Sequence, residues 1–162
     1  MIAANSTTKT DTYMGKVGVA PVEKVTNGSM EADANWTSIG TPETNERSST
    51  YARGETYSRH CVDSTPSTGG FYQDLTTTAT KSYFITLWYY LVSGTLIVQF
   101  SKGDYSAWLW TSSDLTTAGA WTQVTATQVQ STSGASTRIW FINKSAVAGA
   151  EFYIDDVTVR EL

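Results

Sequence analysis

Residues 81–92, KSYFITLWYYLV, alternate with period two. Tyr83, Ile85, Leu87, Tyr89 and Leu91 share one face of an extended strand, and Phe84, Thr86, Trp88 and Tyr90 share the other. The first face reads as the core of a sandwich. The second is too aromatic for an ordinary solvated face, so it is either covered by other segments or forms a binding surface. Residues 106–111 repeat the device, setting Ala107 and Leu109 against Trp108 and Trp110. Two neighbouring strands of this kind would present aromatics to the same side. Further short runs predict strands at 22–26, 36–39, 57–62, 71–75, 95–100, 121–129, 137–142 and 151–160. Turn signals punctuate them, among them Asn27-Gly28, Ser93-Gly94, Gly103-Asp104, Ala118-Gly119 and Ser133-Gly134. Ten short strands so spaced predict an all-β chain, a β-sandwich or jelly roll rather than βαβ units.

The last run, AEFYIDDVTVREL over residues 150–162, alternates like a strand yet carries Asp155 and Asp156 side by side. One of any adjacent pair faces each side of a sheet, and a carboxylate turned inward needs a partner. Parity with Val157 and Val159 makes Asp155 the inward one.

Composition narrows the picture. Ser and Thr exceed a quarter of the 162 residues, which suits strands better than helices. Residues 1–20 are polar and weakly patterned and read as a flexible arm or linker, leaving 21–162 as one domain. The net charge is −4 with eleven scattered Lys and Arg, so no basic stripe exists to follow a phosphate backbone, and nucleic acid is not an expected partner. No stretch approaches the roughly 20 apolar residues of a membrane span, and the first residues lack the pattern of a signal peptide. Membrane insertion is therefore not expected. Cys61 is the lone cysteine, which excludes an intramolecular disulfide and reads as a small buried hydrophobe.

Three segments together resemble the jelly-roll carbohydrate-binding modules of families 4, 9, 16 and 22, whose fold is galactose-binding-domain-like. Asn27-Gly-Ser-Met-Glu31 followed by Trp36 is similar to their opening, Trp121-Thr-Gln-Val124 to their W-x-x-V strand, and Tyr153-Ile-Asp-Asp-Val157 to their closing strand. The strand containing Tyr83 to Tyr90 fits their Y-x-L-x-F-W pattern. Related folds occur in adhesins and phage virion proteins. The resemblance implies a structural calcium ion that pins the first and last strands. Carried over, Glu31 and Asp155 supply carboxylates, and Gly28 and a carbonyl near Thr56 supply backbone oxygens, a donor set that suits calcium. Arg53 stands where some members have another acidic ligand. The alternative is that Asp155 caps a turn or pairs with Arg160 or Arg53.

Catalysis is hard to assemble from these residues. The lone His60 has no nucleophile or metal-ligand pattern around it, and Asp63, Asp74, Asp104 and Asp114 stand in or beside predicted turns. The chain is expected not to be an enzyme. Sugar binding instead needs flat aromatic faces for pyranose rings, flanked by amides, carboxylates or guanidinium groups for their hydroxyls. Six Trp and nine Tyr supply the faces. Trp88, Tyr90, Trp108 and Trp110 are the main candidates, Tyr105 and Tyr72 the rim, and Gln73, Arg59, Arg138 and Asp104 the hydrogen-bonding partners. For any one of these rings, core packing is an equal alternative. Trp36 and Trp121 read as structural, and Trp140 is left unassigned.

In the resembled modules the site is a groove across the concave sheet or a pocket in loops at one edge. Aromatics placed mid-strand favour the groove and a β-linked polysaccharide or glycan chain. The rival expectation is a structural or attachment module, such as a phage virion decoration or fibre domain, with or without glycan binding. Either role implies an extracellular or virion-associated protein, with an attached catalytic domain or a virion protein as a possible companion.

Overall fold

The computed structural model describes residues 21–63, 69–129, 136–146 and 149–162. The predicted arm 1–20 and the turn at Ser133-Gly134 lie outside the described residues. Ten strands form, and no helix occurs among the described residues: β1 (Thr37–Ile39), β2 (Thr44–Ser48), β3 (Ser58–Asp63), β4 (Gly70–Thr76), β5 (Ser82–Ser93), β6 (Leu96–Lys102), β7 (Trp108–Thr111), β8 (Trp121–Val129), β9 (Ser136–Asn143) and β10 (Ala150–Glu161). They make two five-stranded sheets, ordered β1-β4-β9-β6-β7 and β2-β3-β10-β5-β8, and every strand pairing is antiparallel. We call them the first and the second sheet.

The core lies between the sheets and follows the period-two rule. Tyr83, Ile85, Leu87, Tyr89 and Leu91 of β5 are all buried, as their alternation predicts. They meet Phe71, Leu75, Leu96, Val98, Phe100, Ile139 and Phe141 of the first sheet in one cluster. Ring contacts cross between the sheets from Phe71 to Phe152 at 6.0 Å and from Tyr83 to Phe100 at 6.4 Å. Trp36 closes one side, edge-on to Phe71 and Phe141 at 5.6 Å each. Cys61 is buried in the same cluster, and burial pushes its thiol up to about 12.

The structure corrects four expectations. The stretch 22–26 forms no strand beyond a single bridge from Glu23 to Arg160. The Glu23 carboxylate itself accepts the Val159 amide at 2.7 Å, and those of Lys24 and Val25, taking the place of a ladder carbonyl. Strand β2, TNERS, went unpredicted because a short polar edge strand carries no apolar alternation. Strands β5 and β7 are not neighbours; they lie in different sheets.

The fourth correction concerns Asp155. A bulge between Asp155 and Thr158, with Asp156 at φ 49°, adds one residue to β10 and shifts the alternation by one. Ile154, Val157 and Val159 face the core, whereas Asp155 pairs with Trp88 and shares the outer face with it. It is nevertheless only 1 % exposed, because the segment 51–57 folds over that face.

Candidate functional site

The outer face of the first sheet gathers residues that the sequence leaves scattered. Register places Tyr72 of β4 opposite Trp140 of β9, Trp140 opposite Gln99 of β6, and Gln99 opposite Thr111 of β7. Asp74 lies opposite Arg138, Arg138 opposite Ser101, and Ser101 opposite Trp108. The turn between β6 and β7 adds Tyr105, whose left-handed backbone (φ 61°) is held as its amide donates to the Lys102 carbonyl at 3.1 Å.

Trp140 is the hub of this face. Its ring centroid lies 5.2 Å from Tyr72, 5.1 Å from Tyr105 and 6.0 Å from Trp108, and its indole N–H donates to the Ser101 hydroxyl at 2.8 Å. The guanidinium of Arg138 lies 3.6 Å from the Tyr72 ring centre, 4.7 Å from Tyr105 and 4.9 Å from Trp140. Its Nε and Nη2 donate to the two oxygens of Asp74 at 2.5 and 2.8 Å, a bidentate pair. What this support holds up is open to solvent: Trp108 is 51 % and Tyr105 is 50 % exposed, while Trp140 itself is 8 % exposed. Exposed rings on a fixed base, beside an exposed carboxylate and the Gln99 amide, can stack on the apolar face of a ring ligand and bond its hydroxyls.

Of the residues expected to form one site, the structure brings Tyr72, Tyr105, Trp108 and Arg138 together. Asp104 lies beside them in the same turn, exposed, where the Ser106 amide holds its carboxyl below the ordinary range. The others go elsewhere. Trp110 pairs with buried Phe100 and packs against the core, because the bulge between Phe100 and Ser101 separates its side from that of Trp108. Gln73 also faces inward. Its side chain takes the Thr26 amide at 2.8 Å and donates to the carbonyls of Thr26 and Asn35, clamping the opening loop. Arg59 is buried and donates to Asn45 Oδ1 at 2.6 Å and Asp33 Oδ1 at 2.5 Å.

Trp88 and Tyr90 lie on the opposite outer face, in the second sheet, and both are covered. Arg53 sits 3.8 Å over Trp88 while pairing with Asp156. Tyr51 stacks on Tyr90 at 4.2 Å, and Trp121 and Tyr153 meet Tyr90 edge-on. His60 stacks on Tyr153 at 4.2 Å and hydrogen-bonds Glu151 at 3.0 Å, which accounts for it structurally. The residue that sequence reasoning left unassigned, Trp140, is central. Its signal was present in Arg138-Ile-Trp-Phe-Ile142, where Arg138 and Trp140 alternate with apolar Ile139 and Phe141.

The resemblance also implied a metal-binding cluster, and its residues converge on the segment 51–57. Glu31 Oε1 accepts the amides of Thr56 at 3.0 Å and Tyr57 at 2.8 Å. Asp155 accepts the Arg53 amide at 3.0 Å and the Asp156 amide at 2.8 Å. The Gly28 carbonyl takes the Val157 amide at 2.9 Å, and a Cβ on Gly28 would stand 2.0 Å from the Val157 oxygen, so only glycine fits. Desolvation raises the Asp155 carboxyl to about 6, while the nearby Arg53 guanidinium turns to Asp156 instead. Among these residues the donors that suit calcium are the two carboxylates, Glu31 and the buried Asp155, which pairs with no cationic side chain, with the Gly28 carbonyl beside them; the loop itself offers them amides.

No protein-family model matches this chain, and no curated protein matches it in sequence. Solved structures do match in fold. The family 22 xylan-binding domain of Paenibacillus barcinonensis Xyn10C superposes with a TM-score of 0.70 at 15 % identity, covering 86 % of this chain and 92 % of that one. A family 61 module solved with β-1,4-galactotriose gives 0.63 at 14 % identity, covering 87 % and 99 %. The enzymatically active domain of bacteriophage CBA120 tailspike protein 4 gives 0.65 at 15 % identity, covering 86 % of this chain and 21 % of that one. The two antiparallel sheets thus form the jelly roll of the carbohydrate-binding modules that the sequence resembles.

Proposed function

We propose that this chain is a non-catalytic carbohydrate-binding module that takes a β-linked glycan on the outer face of the first sheet. The observation that carries the reading is the exposed pair Trp108 and Tyr105, propped on Trp140 and Arg138 beside Asp74 and Gln99. The fold likeness to modules described as xylan-binding, or solved with a galactotriose, supports it. Aromatic contacts contribute about 0.5–1.5 kcal/mol each and neutral hydrogen bonds about 0.5–1.5 kcal/mol net. A few of each correspond to dissociation constants of about a micromolar to a millimolar. A glycosidase would need two carboxylates set across the scissile bond as acid and base; in this reading Asp74, held by Arg138, and Asp104, held by the Ser106 amide, serve instead as acceptors for sugar hydroxyls.

Titration with soluble xylan, β-glucan and β-1,4-galactan, followed by tryptophan fluorescence, tests this reading. At least one glycan is expected to bind without release of reducing ends, and Trp108→Ala should weaken it about tenfold with the fold intact. Equal binding by parent and variant would show that the face is packing only. A structural calcium ion held by Glu31, Asp155 and neighbouring carbonyls belongs to the same reading; it would brace the opposite face and never touch the glycan. The fold likeness to part of a tailspike domain supports a second reading, a virion attachment module using the same face; either reading implies a protein outside the cell or on a particle.

A further inference from the structure

We infer that Asp74 is a charge gate, which restricts the aromatic face to neutral glycans and turns away chains bearing uronic acids. The inference rests on the glycan-binding reading above. Its basis is the unequal exposure of one ion pair: the Arg138 side chain is 10 % exposed and that of Asp74 is 56 % exposed. The guanidinium is sealed beneath Tyr72, Tyr105 and Trp140, and its Nε and Nη2 are committed to Asp74. A ligand chain that runs across the sheet from Trp108 and Tyr105 to β4 therefore meets the carboxylate of the pair, not the cation.

The rest of the face does not reverse that sign. Outward positions Thr37, Gln99, Ser101 and Thr111 are uncharged. The other rim carboxylate, Asp104, is held ionised by the Ser106 amide, with the nearby Lys102 also favouring its charged form. A hydroxyl-bearing chain loses nothing here, since both carboxylates accept hydrogen bonds from sugar hydroxyls. A uronate brings a like charge to Asp74 in a partly desolvated contact and must either shed its position or bind more weakly.

The experiment uses two ligand pairs that differ only at C6, a hydroxymethyl group against a carboxylate: β-glucan with its C6-oxidised form, and carboxyl-reduced glucuronoxylan with its native form. Affinities for the full chain are measured at low and high salt, with Asp74→Asn and Asp74→Ser beside the parent. The parent is expected to bind the neutral member about tenfold more tightly at low salt, with the gap narrowing as salt screens it. Asp74→Asn should close the gap, because it removes the charge that separates the two members, and any loss of hydroxyl bonding at this position should weaken both members alike. Should either variant misfold, as a melting curve would reveal, the salt dependence of the parent's gap decides alone. A parent that binds both members equally, or a folded variant that keeps the gap, overturns the gate while the glycan reading stands. Absence of binding to both neutral glycans overturns the gate, and absence of binding to β-1,4-galactan as well overturns the glycan reading with it.

Discussion

The two outer faces of this sandwich are built from the same parts and end in opposite states. On the first sheet Arg138 lies on Tyr72 and pairs with Asp74; on the second Arg53 lies on Trp88 and pairs with Asp156. Each face adds three or more further rings. The difference is a lid. On the second sheet the segment 51–57 folds over the strands, stacking Tyr51 on Tyr90 and docking its amides on Asp155 and Glu31. On the first sheet the neighbouring turn stands Tyr105 beside Trp140 and leaves Trp108 uncovered. Aromatic content does not mark a binding face; what matters is whether backbone groups of a loop have acceptors beneath them to hold the loop down.

That account can be broken at its anchor. Asp155→Ala removes the acceptor for two amides in a buried setting, and each orphaned group costs about 1–3 kcal/mol. A fall in melting temperature of roughly 4–24 °C is expected, at about 2–4 °C per kcal/mol for a domain of this size. If the proposed calcium ion is bound, a chelator should lower the melting temperature of the parent and leave the variant indifferent. Glycan affinity should change by less than about twofold, because the anchor lies behind the opposite face.

A pair of substitutions sharpens the contrast. Trp88→Ala should cost about 2 kcal/mol of stability through lost packing under Arg53, with binding unchanged. The exposed Trp108 should behave inversely, its alanine variant melting within about 0.5 kcal/mol of the parent. Were both variants to lose stability and neither affinity, the two faces would be equivalent and the comparison would collapse.

The smallest expected effect is in pH. The folded Asp155 carboxyl titrates near 6 against an ordinary 3.8, so the native state holds its proton more tightly than the unfolded chain does. Stability from this group is present below about pH 4 and is lost as pH rises through about 6. In chelator, the melting temperature of the parent should therefore decline across that interval relative to Asp155→Asn, whose profile should be flatter. Parallel profiles would mean that the carboxyl is not desolvated as its burial requires.

Much of the architecture was legible beforehand, since burial of one face of a strand forces alternation into the residues themselves. The five inward side chains of β5 follow from that rule alone, whereas β9 is buried on both faces. The polar strand β2 left no such trace, because an edge strand with little buried surface can take almost any polar residue. The candidate site was half legible. Tyr72, Tyr105, Trp108 and Arg138 were recognisable as ring and partner chemistry, whereas grouping them with Trp88 and Tyr90 assumed that β5 and β7 adjoin.

Sequence alone determined an all-β sandwich, its inward rows and an inventory of rings, guanidinium groups and carboxylates fit for sugar. Tertiary structure decided which of them meet. Strand order depends on pairings between residues far apart in the chain, and local alternation carries no information about those. A single left-handed residue, Asp156, moved Asp155 from the core side to the outer face, an inversion that counting by twos cannot foresee. The lid over one face and the open rings on the other arise from where two loops find acceptors, and those acceptors are fixed only once the sheets have stacked.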